Sequence, residues 1–225
     1  MNVIDAIKSR ASTRKFLPKE VPHEIITQIL EIATWAASSK NLQPWEVVVA
    51  TKEGKQQISE LLLQQYHSGA TPNPDLYATK QLPEHLHARE VAIGAALYGA
   101  LNISRDDKEK RLQQWEKNYQ FFSAPVALFF FTEKFLGESA ILDCGMFMQN
   151  VMLAAEEFGL ATCAQRSVAY YPEALKTFLG SAYQDKWLLT GMALGYPDKT
   201  VPENNYRTER ATVNEFVTFI DKNIA

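Results

Sequence analysis

The run Ala-Pro-Val-Ala-Leu-Phe-Phe-Phe-Thr at residues 124–132 constrains this chain more than any other stretch. It is the longest apolar run, long enough for a strand and far short of the about 20 residues that a membrane-crossing helix needs. It predicts a buried strand from Pro125 onward, with a sheet built around it, and no membrane partner. Two other runs are candidates for the same sheet. Residues 45–50 are rich in valine, and residues 187–194 are closed by Gly195-Tyr196-Pro197-Asp198. Residues 160–165 also read as extended.

The helices follow from periodicity. Val3, Ile4 and Ile7 place a short helix at residues 2–9. Pro22 opens a second, whose apolar face of Ile25, Ile26, Ile29, Leu30, Ile32 and Ala33 continues to about residue 36. Residues 52–66 and 84–101 are helical, and residues 67–83, with three prolines, form a long surface loop of the kind that lids and binding loops use. Ser104-Arg105-Asp106-Asp107 has the spacing of a capping box before another helix. The longest helix spans residues 139–158 and is stopped by Gly159, and Pro172 starts a short one that ends near Gly180. Residues 199–212 read as a polar extended arm. The apolar residues 213–220 after it fit a short helix or a terminal strand, which must bury itself somewhere, for example on a partner subunit.

Composition narrows the class. With 225 residues, 46% hydrophobic, the chain suits one compact domain. A net charge of −3 implies no broad basic face, so nucleic acid is not an expected partner. Two distant cysteines, Cys144 and Cys163, read as buried free thiols in a reducing cytoplasm. The first residues lack the pattern of a signal peptide, and a soluble, cytoplasmic protein is expected.

The usual catalytic motifs are missing. There is no phosphate-binding glycine loop, no nucleophile elbow and no CxxC pair. His85 and His87, two apart on a helix, point to different faces, so no metal site is expected. What remains is four polar clusters. Arg10-Ala11-Ser12-Thr13-Arg14 offers guanidinium forks and a hydroxyl to an anion. Ser38-Ser39-Lys40-Asn41-Leu42-Gln43-Pro44-Trp45, the turn Cys163-Ala164-Gln165-Arg166-Ser167 and Arg207-Thr208-Glu209-Arg210 supply further hydroxyls, amides and cations. Taken singly, the serines are helix-ending residues and the arginines are solvated charges. Taken together, two arginine clusters at opposite ends of the chain can converge on one phosphate. A redox cofactor held there would need no catalytic side chain.

The combined pattern resembles the FMN-dependent nitroreductase family. The marks are Arg10-x-Ser12-x-Arg14-x-Phe16, Ser38-Ser39-x-Asn41-x-Gln43-Pro44-Trp45, Asp143-x-Gly145-x-x-x-Gln149-Asn150, Gly159-Leu160-Ala161-Thr162-Cys163, Gly191-x-Ala193-Leu194-Gly195-Tyr196-Pro197 and Arg207-x-x-Arg210-Ala211. The resemblance implies an α+β fold with a mostly antiparallel central sheet flanked by helices. It implies a homodimer with the long helix at its centre and a C-terminal arm exchanged between subunits. FMN would lie in the interface. Arg10, Ser12, Arg207 and Arg210, with Ala11 beside them, would hold its phosphate, and Arg14 would meet the pyrimidine side of the ring. Ala37, Ser38, Ser39 and Asn41 would come from the partner, and Gln165, Arg166 and Ser167 would lie near flavin N5.

The implied activity is ping-pong hydride transfer from NADH or NADPH to a small electron-poor acceptor, a nitroaromatic or a quinone. Flavin, enone or halide reduction on the same scaffold, or flavin sensing with little turnover, are the alternatives. Where many members carry Pro-x-Glu-Gly, this chain has Ala164-Gln165-Arg166-Ser167, so the family's substrate preference does not carry over.

Overall fold

The computed structural model describes residues 1–77 and 81–220. Four strands form one sheet: β1 (Glu46–Thr51), β2 (Val126–Glu133), β3 (Ala161–Gln165) and β4 (Lys186–Gly195). The spatial order is β1-β2-β4-β3 and every pairing is antiparallel, as in Val48 opposite Phe129, Leu128 opposite Met192 and Cys163 opposite Ala193.

The apolar run of β2 is continuous because both faces of the sheet are covered. Successive side chains alternate between two cores. Ala127, Phe129 and Phe131 face one core with Ile58, Leu62, Tyr119, Phe121 and Leu175, while Val126, Leu128 and Phe130 face the other with Ile29, Cys144, Phe147 and Val151. The first core lies under helices α3 (Lys52–His67) and α7 (Pro172–Leu179), and the second under α2 (His23–Ala33) and α6 (Ser139–Glu157). Full burial of one such aromatic ring contributes roughly 1.5–3 kcal/mol.

A bulge between β2 and β4 changes this alternation. Phe130 pairs with Thr190 but Phe131 pairs with Leu188, so Leu189 is the extra residue. Met192, Leu194 and Leu189 face the second core, whereas Leu188 faces the first. The Leu188 N–H donates to Asp75 Oδ2 at 2.8 Å, and the fully buried Lys176 Nζ donates to Asp75 Oδ1 at 2.8 Å. One carboxylate thus fastens the 68–77 segment to β4 and α7.

The remaining helices are α1 (Val3–Ser9), α4 (Glu84–Ala100) and α5 (Lys108–Glu116). α2 stops at Ala33, short of residue 36, in a turn that leaves Trp35 89% exposed. The capping box expected at Ser104 does not form. Asp107 caps α5, its Oδ1 accepting from Lys110 N–H at 3.0 Å, because a carboxylate one residue before the helix reaches an N–H of its first turn. Of residues 213–220, only Val213–Glu215 is helical, as a single 3-10 turn, and no strand forms. Thr212 and Glu215 close a capping box around the 3-10 turn Val213–Glu215, and Phe216, Phe219 and Ile220 stay exposed. Residues 68–77 and 81–83 carry no helix or strand, as expected of the long loop, whose residues 78–80 lie outside the described part.

Candidate functional site

The two ends of the chain meet beside β3. Arg10 caps α1, its N–H donating to the Ala6 carbonyl at 3.1 Å. The chain then lies along the edge of β3, where Ser12 bridges Thr162 and Thr13 N–H donates to the Thr162 carbonyl at 3.0 Å. The segment after β4 returns alongside it, with Leu17 N–H donating to Tyr196 O at 2.9 Å and Asp198 N–H to Lys15 O at 3.1 Å. Asn204 fastens the two together. Its Oδ1 accepts from Arg14 N–H at 2.7 Å, and its Nδ2 donates to the carbonyls of Lys15 at 2.8 Å and Asp198 at 2.7 Å.

A cavity of about 480 Å³ opens at this junction, within the range of small-ligand sites. Arg10, Ala11, Ser12, Arg14, Arg207 and Arg210 all line it, with Glu203, Asn204, Tyr206 and Thr208. Arg14 is held in place: its Nη1 donates to Tyr206 Oη at 2.6 Å and to the Ser12 carbonyl at 3.3 Å. Arg207 Nη1 donates to the Tyr206 carbonyl at 3.0 Å, and Arg210 Nη1 to Thr208 Oγ1 at 2.7 Å. None of the four guanidiniums forms a salt bridge among the described residues. Each carries five N–H donors, so most remain free for an anion.

The electrostatics agree with an anion site that holds no nucleophile. Burial pushes the Cys163 thiol up to about 11, against the pull of the nearby Arg14 and Arg10 charges, so it is protonated at neutral pH. Cys144, on α6, is likewise pushed up to about 11 by burial. Burial also raises the Tyr206 hydroxyl, with the Arg14 charge opposing it, so this group donates or accepts as a neutral phenol. Glu156, at the end of α6, is raised by burial, while the Ser9 hydroxyl and the charges of Arg10 and Arg207 pull the other way. Among the described residues no cluster of histidine, cysteine, aspartate and glutamate could hold a metal.

The other predicted residues lie elsewhere. Ala37 lines a separate groove of about 620 Å³ with Trp35, Leu142, Gly145, Gln149 and Asn150, along the outer face of α6. Ser38, Ser39 and Asn41 follow in a loop in which Lys40, Asn41 and Gln43 adopt left-handed backbone angles. That conformation is unfavourable for residues other than glycine and is held from outside. The buried Asp143 on α6 accepts from Ser39 N–H at 3.1 Å, and Ser38 Oγ accepts from Gln43 N–H at 3.1 Å. Within one chain, therefore, residues 37–41 do not share the arginine cavity.

Gln165 ends β3, and Arg166 and Ser167 begin the turn that follows it. The Gln165 side chain points inward, its Nε2 donating to the Asn118 carbonyl at 2.6 Å, and Arg166 Nη2 donates to the carbonyl of Leu76. Gln165 Oε1 and Ser167 Oγ are buried without a partner. Glu203, Asn204 and Tyr206 carry no signal in the sequence, where residues 199–212 are expected to form a polar extended arm. The structure folds Pro202–Asn204 into a 3-10 turn and buries Glu203. Pro202 ahead of two asparagines was the one local signal of a turn there.

The family model described as "Nitroreductase family" matches residues 7–196. The chain belongs to the nitroreductase family. Among curated relatives, it is 34% identical to the nitrobenzene nitroreductase of Ectopseudomonas oleovorans over 96% of both chains. It is also 34% identical to the 4-nitrobenzoate reductase of Pseudomonas putida, over 95% of this chain and 93% of that one. Among solved structures, it matches the FMN and NADPH-dependent nitroreductase NfnB from sphigopyxis sp. strain HMH with a TM-score of 0.94 and 33% identity, covering 99% of this chain and 100% of that one. NfnB from Mycobacterium smegmatis, solved in complex with NADPH, matches with a TM-score of 0.91 and 29% identity over 96% of this chain and 97% of that one. The family model ends before Arg207, but the match to NfnB from strain HMH covers 99% of this chain and so takes in both arginine clusters. Among the described residues no helix is long and apolar enough to cross a membrane.

Proposed function

We propose that this chain is an FMN-dependent oxidoreductase that uses NADH or NADPH to reduce an electron-poor small molecule, a nitroaromatic or a quinone. The observation that carries the reading is the cavity lined by Arg10, Arg14, Arg207 and Arg210, none in a salt bridge. Four guanidiniums around one space, none neutralised by a carboxylate, favour an anion, and a phosphate monoester meets their forked donors best. The names of the relatives, nitrobenzene nitroreductase and 4-nitrobenzoate reductase, supply the acceptor class.

FMN, when bound, would supply the redox chemistry of a ping-pong hydride transfer from the nicotinamide to the acceptor. The chain's own residues bind and orient. Arg10, Ser12, Arg207 and Arg210 take the phosphate. Arg14, fixed by Tyr206 Oη and Asn204, presents a guanidinium to the pyrimidine side, where preorganised positive charge stabilises developing negative charge. Gln165 lies three residues along β3 from Thr162, about 10 Å at ~3.3 Å per residue, which suits a ring end at Gln165–Ser167.

The working unit is a homodimer. The apolar groove beside α6, with Trp35 89% and Leu142 70% exposed, is the face it buries. Residues 37–41 then reach the partner's cofactor, and the exposed Phe216, Phe219 and Ile220 form the exchanged arm. Two buried free thiols suit a reducing cytoplasm.

Purified protein should be yellow, bleach under anaerobic NADPH or NADH, and regain colour as nitrobenzene or 4-nitrobenzoate is reduced. A colourless protein that binds no added FMN overturns the reading. A yellow protein that does not bleach with either nucleotide is a flavin-binding or sensing protein instead.

A further inference from the structure

Asn204 lines the arginine cavity, yet its side chain has no hydrogen left for a ligand. A carboxamide carries two N–H donors. Both are used, one on the Lys15 carbonyl at 2.8 Å and one on the Asp198 carbonyl at 2.7 Å. Its Oδ1 accepts from Arg14 N–H at 2.7 Å. One amide therefore joins three stretches of chain: the segment of Arg14 and Lys15, the segment after β4 at Asp198, and the 3-10 turn Pro202–Asn204 that carries Asn204 itself.

The second arginine cluster hangs from this junction. Arg207 Nη1 donates to the carbonyls of Tyr206 at 3.0 Å and Asn204 at 3.5 Å, and Arg210 Nη1 to Thr208 Oγ1 at 2.7 Å and the Glu209 carbonyl at 2.9 Å. Among the described residues, neither side chain hydrogen-bonds outside residues 204–209. Their place across the cavity from Arg10 and Ser12 is set from upstream, by Asn204 and by the Arg14–Tyr206 bond. The two anchors differ in kind. Tyr206 Oη meets the end of a long arginine side chain, which can follow the arm. Asn204 grips backbone between Thr13, bonded to Thr162 on β3, and Leu17, bonded to Tyr196, and that backbone cannot follow.

We propose that Asn204 is the positioning residue of the phosphate site: its amide holds the Arg207–Arg210 arm against the Arg10–Arg14 segment, and the preference of the protein for a phosphorylated flavin depends on it. The proposal rests on the FMN reading above. Donors held in place before the ligand arrives bind it without the entropic cost of ordering a loose segment. Both clusters can then share the oxygens of one phosphate, and a flavin without a phosphate gains nothing from that arrangement.

The test compares FMN with riboflavin, the same ring and polyol without the phosphate, by fluorescence titration of the full chain stripped of flavin. Wild type should bind FMN at least about a hundredfold more tightly, the scale of two hydrogen bonds between charged groups. Asn204→Ala should lower that preference about tenfold, the scale of one such bond, because Arg207 and Arg210 lose their fixed place. The ratio isolates the phosphate end, since a change in fold stability or in ring contacts through Arg14 alters the binding of both flavins alike. Asn204→Ser, whose hydroxyl can replace one of the three bonds, should lower the preference about threefold and serves if the alanine variant does not fold. An unchanged preference in the folded variant overturns the role of Asn204 and leaves the FMN reading standing. Equal binding of the two flavins by wild type overturns the phosphate role of the arginine cavity, and this proposal with it. Binding of neither flavin by wild type overturns the FMN reading itself.

Discussion

Arg14 is the residue on which site geometry and chemistry meet. Its backbone is held by Asn204 and its guanidinium by Tyr206 Oη at 2.6 Å, so it points into the cavity before any ligand arrives. Arg14→Ala should weaken FMN binding by about tenfold or more and make cofactor reduction less favourable. Flavin titration and a reduction potential measured against a reference dye check this, and an unchanged pair of values would refute the role. Tyr206→Phe should shift both in the same direction by less, because the hydroxyl only positions the arginine. The cysteines give a second prediction. Both thiols are buried and pushed from 9.0 to about 11, so iodoacetamide at pH 8 should label neither in the native protein and both in urea. The folded state keeps these protons while unfolded thiols lose theirs. Their contribution to stability therefore falls as pH rises from about 9 to about 11, and the urea midpoint should decline across that window.

At the scale of elements, β4 is the strand on which the site is aligned. Gly191 pairs with Gln165 on one side and Phe129 on the other, and a Cβ there would lie 2.8 Å from Val168 Cγ1 and 2.9 Å from Val168 Cβ. The turn carrying Arg166 and Ser167 packs onto the sheet only because that position is bare. Gly191→Ala should destabilise the fold by about 1–3 kcal/mol, the usual cost of overpacking, and lower the thermal midpoint. Adding Val168→Ala should recover part of the loss, since it removes the Cγ contact and leaves the Cβ contact. A double variant no more stable than Gly191→Ala would show that the clash is relieved elsewhere. Gly191 was visible in the sequence as part of a motif. Its reason was not, because Val168 comes to it from another part of the chain.

For the whole molecule, the proposed dimer rests on the surface of α6 and the α2 terminus. Leu142, 70% exposed, lines the groove with Trp35 and Met146. Leu142→Glu would place a charge in that apolar face, and burying it unpaired is costly. Light scattering should find a dimer for wild type and a monomer for the variant. The variant should also lose FMN, since residues 37–41 would no longer reach a partner's cavity. A monomer that retains FMN at wild-type affinity would show that one chain completes the site.

The sequence by itself determined the elements and the chemistry on offer. Periodicity placed α2, α4, α6 and the strands to within a few residues, because a buried face must repeat with the geometry of its own element. The unbroken run of β2 foretold a sheet with little exposed surface. The arginine clusters offered an anion site, and it was the resemblance of the combined motifs to the nitroreductase family that implied a flavin there. Local signals misled at Ser104, where a nearer carboxylate took the cap, and overstated residues 213–220, where only a single 3-10 turn forms. Only the tertiary structure decided the rest. It set the strand order β1-β2-β4-β3, brought Arg10 and Arg14 beside Arg207 and Arg210, fixed Ser39 through Asp143, and buried Glu203 among arginines. The physical reason is that each of these contacts joins residues far apart in the chain. Their energy depends on how the layers stack, and no local pattern carries that information.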